Sequence, residues 1–114
     1  MSVKDINAKK FKTLLKDRGK LEIIDVREKE EFDIIHIKGS KLIPMGELLN
    51  RLDEIDWDKE VVFICRTGGR SKLAATLTAK DKEAKNLEYG IYECYLDGDC
   101  PDLEILKDEV KKYF

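Results

Sequence analysis

The sequence predicts an α/β domain of three layers, with helices on both faces of a mainly parallel sheet. Two patterns predict it. Short apolar runs rich in β-branched residues alternate with amphipathic, charged stretches along the whole chain. One of those runs, Glu60-Val61-Val62-Phe63-Ile64, is almost unbroken in apolarity, as a strand buried on both faces must be. The length of 114 residues fits one domain over 1–114, with room for one core between two covering layers.

Each element has its own signal. Asn7 is a helix cap, followed by Phe11, Leu14 and Leu15 at helical spacing, and Gly19 ends that helix. Leu21 to Val26 reads as a buried strand, and Glu28 to Phe32 as a helical turn. Lys41-Leu42-Ile43 is a brief extended piece, stopped by Pro44. From Met45 to Ile55, Leu48, Leu49, Leu52 and Ile55 form the stripe of an amphipathic helix. After the strand Glu60–Ile64, a helix is expected from Ser71 to about Ala84, with Leu73, Ala74, Leu77 and Ala84 facing inward. Ile91 to Leu96 reads as a further strand. Pro101 opens a last helix carrying Leu103, Leu106 and Val110. Trp57 is expected to cover the core, and Lys80 to Lys85 to be a solvated helix face.

Composition narrows the function. Lys and Arg total 22 against 24 Asp and Glu, a formal net charge of -2. No nucleic-acid partner and no polybasic membrane surface is expected from that balance. No apolar run approaches the ~20 residues of a membrane span, and the N-terminus lacks a signal-peptide pattern. The three cysteines, at 65, 94 and 100, do not make a disulfide framework and suit a reducing compartment, so a cytoplasmic location is expected. With one histidine and no close cysteine pair, no metal site is expected.

The chemistry concentrates in Cys65-Arg66-Thr67-Gly68-Gly69-Arg70-Ser71. In open parallel sheets ligands gather beyond the carboxyl ends of strands, and Cys65 follows the most apolar strand directly. Gly68 and Gly69 let backbone amides converge on one point, as an anion nest. The helix behind them adds the positive end of its dipole. Arg66 and Arg70 add two permanent cations. All of this favours thiolate over thiol at Cys65, and a small anion as its ligand.

The loop resembles the active-site motif C-R-x-G-x-R-S of the rhodanese family. Asp25-Val26-Arg27, Glu31-Phe32, His36-Ile37-x-Gly39-Ser40 and Ile43-Pro44 are similar to further segments of that family, in order. The resemblance implies a rhodanese-like three-layer α/β/α fold with a mainly parallel five-stranded sheet, and a thiosulfate sulfurtransferase without a cofactor. Cys65 would be the catalytic nucleophile and persulfide carrier. Arg66, Thr67, Gly68, Gly69 and Arg70 would bind a small anionic sulfur donor. A thiol, cyanide or a thioredoxin-like protein would be the acceptor, with the chain a monomer or weak homodimer. An alternative is a relay module that hands persulfide sulfur to one protein partner with little thiosulfate turnover. The spacing Cys-x4-Arg is one residue shorter than the loop of cysteine phosphatases, which disfavours phosphate.

Three departures from the family pattern stand out. Ile35 replaces a usual Gly. The late L-x-G-G…W segment is read at Leu96-Asp97-Gly98-Asp99-Cys100-Pro101, without its second Gly or its Trp. The lead-in to the last strand is weak around Tyr89-Gly90-Ile91. Asp25, Arg27 and Glu31 are expected to form structural ion pairs, and His36 to be a hydrogen-bonded structural residue. Cys94 is taken as structural. Cys100 is placed beyond a strand neighbouring the catalytic one, as a possible redox partner of Cys65.

Overall fold

A computed structural model describes residues 2–79, 82–98 and 100–114. Its central sheet has five strands, all parallel: β1 (Ser2–Ile6), β2 (Leu21–Asp25), β4 (Lys41–Leu42), β5 (Glu60–Ile64) and β6 (Glu83–Leu87), in the order β1-β6-β5-β2-β4. A separate antiparallel ribbon joins β3 (Ile35–Ile37) to β7 (Leu103–Ile105). The helices are α1 (Ala8–Leu14), α2 (Lys29–Phe32), α3 (Gly69–Ala79), α4 (Gly90–Asp97) and α5 (Val110–Tyr113). Among the described residues no helix is long and apolar enough to cross a membrane.

Two-residue alternation divides the core between the sheet's faces. Leu21, Ile23, Val62 and Ile64 point to a cluster with Phe11, Leu87, Ile91, Cys94 and Cys100. Ile24, Val26, Val61, Phe63 and Cys65 point to the opposite cluster, with Ala74, Ala75 and Ala79 of α3. Those three alanines face β5 and β6, and their small size lets α3 lie close to the sheet.

Several expected elements differ. The helix begun near Ser71 ends at Ala79, and β6 follows where Ala84 was expected to continue it. Lys80 and Asp81 lie outside the described residues. Leu73 and Leu77, expected inward, are half exposed, because the alanine face packs instead. The stretch Ile91–Leu96, expected as a strand, is helix α4. Its buried Ile91 and Cys94 stand three residues apart, at helical spacing, but the short, mostly apolar run reads equally as a buried strand. Met45–Ile55 is two short 3-10 segments rather than one helix, with Leu48 and Ile55 buried but Leu49 exposed. The last helix is only Val110–Tyr113. Leu103 lies in β7, paired with Ile37, and Leu106 is exposed.

The topology fixes where a site can form. The chain leaves β5 through α3 to β6 on one side, and leaves β2 toward β4 on the other. The carboxyl ends of β2 and β5 therefore flank a switch point, the place where connections diverge and a crevice opens. The segment Val26–Glu31 and the Cys65 loop both start there.

Candidate active site

The loop after β5 curls around the Cys65 sulfur. The Gly68 amide donates to Cys65 Sγ at 3.1 Å and the Ser71 amide at 3.4 Å. The Ser71 hydroxyl lies 3.3 Å from the same sulfur. Gly69 opens α3, so the sulfur sits at the positive end of an eleven-residue helix. Cys65 is 1% exposed, its sulfur lying on the floor of the loop.

Glycine is required at two points of this arrangement. Gly68 has φ +97°, and a Cβ there would collide with the Glu88 carbonyl. Gly90, with φ +65°, lies so close to the Cys65 and Arg66 carbonyls that a Cβ would strike both. That approach has a purpose. The first amides of α4, Ile91 and Tyr92, donate to the Cys65 and Arg66 carbonyls, each at 3.0 Å. In a trans peptide N–H and C=O point oppositely, so the Arg66 and Thr67 amides turn away from α4. The amino end of α4, whose orphan donors need acceptors, thus orients the loop. Leu96 and Gly98, where the Leu-x-Gly-Gly segment was sought, lie at the carboxyl end of α4, the end away from the loop. Asp99 lies outside the described residues.

Both arginines are engaged away from the sulfur. Arg70 forms a two-pronged ion pair with Glu31, at 2.7 and 3.0 Å. Arg66 donates from Nε to the Tyr113 carbonyl at 3.0 Å and lies over the rings of Tyr92, Tyr113 and Phe114. Thr67 is exposed at the lip of the loop.

Glu31 is the hub of the opposite wall. It accepts from Arg70, from the Tyr113 hydroxyl at 2.7 Å and from the Glu28 amide at 3.0 Å. Burial pushes its carboxyl up, but these hydrogen bonds outweigh burial and hold it down at about 2. Tyr113 moves the other way, pushed up to about 12 chiefly by burial, so its hydroxyl stays a donor. Beneath Glu31, Arg27 and Asp25 form a fully buried pair at 2.8 Å. Arg27 also donates to the Ile35 carbonyl at 2.6 Å and to the Tyr113 hydroxyl at 3.2 Å, so each edge of the guanidinium is matched. His36 contacts the Phe32 carbonyl through Nδ1 at 2.8 Å and stacks on the Phe32 ring.

Cys100 is not placed beside Cys65 by the sheet. The strand that would have carried it there is α4, and Cys100 packs with Cys94 in the cluster on the other face. Cys100 beside it, and then burial, push the Cys94 thiol up.

Three site residues escaped the sequence reading: Asp5, Asn86 and Tyr113. Asn86 is buried on β6 and touches Ser71, while Asp5 on β1 touches Asn86. Asp5 and Asn86 lie on β1 and β6, two strands of the central sheet that were not foreseen. Tyr113 gave no signal beyond being aromatic near the end of a charged stretch.

A surface cleft lies elsewhere, between Trp57, Glu60, Lys82 and Lys85 at the amino end of β5. The chemistry of the Cys65 loop outweighs that cleft, whose lining includes no thiol.

Comparison with known proteins bears on the family and the fold. The rhodanese-like domain family matches residues 7–97. A Bacillus subtilis protein, YrkF, whose name describes a candidate sulfur carrier, is 38% identical over 79 residues. That match covers 69% of this chain and 43% of YrkF, so the chain spans less than half of that relative. The crystal structure of a rhodanese-like domain protein from Staphylococcus aureus superposes with a TM-score of 0.72 at 30% identity. It covers 90% of this chain and 97% of that one. The thiosulfate sulfurtransferase of Pseudomonas aeruginosa superposes with a TM-score of 0.75 at 26% identity, covering 92% of this chain and 21% of that one. With its parallel sheet, its Cys65 loop at the switch point and this match over most of its length, the chain belongs to the rhodanese-like domain family.

Proposed function

We propose that this chain is a sulfurtransferase that carries sulfane sulfur as a Cys65 persulfide. The observation that carries the reading is the Cys65 sulfur on the floor of a ring of amides, with Gly68 and Ser71 as donors. In the first half-reaction the Cys65 thiolate attacks the outer sulfur of thiosulfate or of a persulfide donor. A Cys65 S–S bond forms, the donor's S–S bond breaks, and sulfite or the donor thiolate leaves with the electron pair. In the second, a thiol, a thioredoxin-like protein or cyanide attacks the outer sulfur, and the Cys65 thiolate leaves. The amide ring supports negative charge at both stages without a separate base.

The relay alternative has an observation of its own. Arg66 donates from Nε to the Tyr113 carbonyl and Arg70 is paired with Glu31, so part of each cation is already committed before a doubly charged donor arrives. That favours a persulfide donor, which carries less charge than thiosulfate.

Mass measurement after mixing with thiosulfate, and separately with a small-molecule persulfide, tests the proposal. A gain of one sulfur (~32 Da) is expected in the wild type and absent in Cys65→Ser. No gain from either donor would overturn it. Uptake from the persulfide alone would select the relay reading.

A further inference from the structure

Behind Cys65 runs a chain of hydrogen bonds that the chemistry above does not use. The Ser71 hydroxyl lies 3.3 Å from Cys65 Sγ and 2.5 Å from Asn86 Oδ1. Asn86 donates from Nδ2 to Asp5 Oδ1 at 3.0 Å, and Lys72 donates to the other oxygen of Asp5 at 2.8 Å. Ser71 is 0% and Asn86 1% exposed. The Lys72 and Asn86 hydrogen bonds hold the Asp5 carboxyl below its usual range, so it is ionised.

Donor counting fixes the direction of every proton in this chain. An ionised carboxylate can only accept, so the Asn86 amide must turn its NH2 to Asp5 and its oxygen to Ser71. Ser71 has one proton, and Asn86 Oδ1 is the nearer acceptor. What Ser71 then turns toward Cys65 is a lone pair, which accepts from a thiol and repels a thiolate. To donate to sulfur instead, Ser71 would leave a buried amide oxygen without a partner, which is costly.

We infer that Asp5 and Asn86 are positioning residues that commit the Ser71 proton away from Cys65, and so disfavour negative charge on Sγ itself. The inference rests on the sulfur-transfer reading for its purpose. In the free enzyme the charge of a thiolate sits on Sγ. In the persulfide it moves to the outer sulfur, and Sγ is bonded to carbon and sulfur. A network that penalises charge only at Sγ shifts the balance toward the loaded state, and makes Cys65 a reluctant leaving group. The carrier holds its sulfur until a strong acceptor arrives.

Removing Asn86 frees the Ser71 proton for sulfur. Removing Asp5 lets the amide turn over, so that Nδ2 donates to Ser71 and Ser71 to Sγ. Both changes favour thiolate. The charged groups that bear on the readout are Arg70 in the loop, which senses Cys65 and is tied to Glu31, and Asp5 and Lys72 at the far end of the chain.

The experiment is the pH dependence of iodoacetamide labelling at Cys65, read by peptide mass in wild type, Asn86→Ala, Asp5→Ala and Asn86→Ala/Ser71→Ala. Asn86→Ala should move the labelling midpoint down by about one pH unit, tenfold in thiolate fraction. Asp5→Ala should move it in the same direction by less. The double variant, which has no hydroxyl to turn, should return to the wild-type midpoint or above. A loss of packing alone would lower thermal stability without this reversal. An unmoved or raised midpoint in Asn86→Ala overturns the inference, as does a double variant that keeps the downward shift. If Asn86→Ala does not fold, an unmoved midpoint in Asp5→Ala, on the partly exposed edge strand, overturns it equally. Iodoacetamide needs no sulfur donor, so a failure here is distinct from a failure of persulfide uptake.

Discussion

Cys65 and Cys94 are equally hidden, at 1% and 0% exposure, yet the structure equips them oppositely. Cys65 ends a strand, and the next six residues bend around it to present amides. Cys94 sits within α4, where the helix uses its own amides and the nearest polar group is another thiol. Cys100 beside it, and then burial, push the Cys94 thiol up, so it stays protonated and inert. Burial is common to both and decides nothing. What separates a usable cysteine from a packing one is whether backbone donors are left over to face it. A strand-to-helix turn leaves donors over, and a helix interior does not.

The largest test of that contrast is at the sulfurs themselves. Cys65→Ser should abolish persulfide uptake, while Cys94→Ser should keep it and lose some stability, both read by mass and thermal melting. Equal loss of uptake in the two variants would break the contrast.

A second test uses two glycines with positive φ, one beside each cysteine. Gly68→Ala should cost about 100-fold or more in sulfur uptake, because its Cβ would displace the Glu88 carbonyl and with it the donor to Sγ. Gly98 caps α4 at φ +73° with open space around it, so Gly98→Ala should cost only about 1 kcal/mol of stability and leave uptake intact. Single-turnover uptake and a urea titration of each variant read the two effects separately.

The same contrast explains what could be read from the sequence. The Cys65 loop was legible because its signal is local: an apolar strand, two glycines and a helix start within a dozen residues. The strands that support it from the side were not. β1 (Ser-Val-Lys-Asp-Ile) and β6 (Glu-Ala-Lys-Asn-Leu) carry three and four non-apolar or small residues in five, and their pairing with each other and with β5 decides their conformation. Asp5 and Asn86 ride on those strands, so the network behind Ser71 stayed invisible with them. α4 was misread because six residues hold too few apolar positions to separate the two periods. The misreading carried Cys100 to the wrong side of the sheet.

The smallest expected effects on sulfur uptake lie at the wall opposite the amides, where Glu31 ties Arg70 and Tyr113 together. Its carboxyl titrates near 4.5 when unfolded and is held at about 2 in the fold. A depressed carboxylate contributes stability above its unfolded value and loses it as pH falls toward the folded one. Stability should therefore decline between about pH 4.5 and 2. For this partly screened group the share is on the order of 1–3 kcal/mol. Glu31→Gln should flatten that limb of a pH–stability curve, and an unchanged limb would assign the decline to other carboxylates. Tyr113→Phe removes one donor to Glu31 and one acceptor from Arg27, and should cost about 1 kcal/mol. It leaves the Tyr113 carbonyl that holds Arg66 in place, so persulfide uptake should be unchanged. If uptake instead rises with thiosulfate, the Tyr113 hydroxyl, acting through Glu31, holds Arg70 away from the donor. The contrast between the two cysteines would then extend to a third element, a wall that governs which anion reaches the one that reacts.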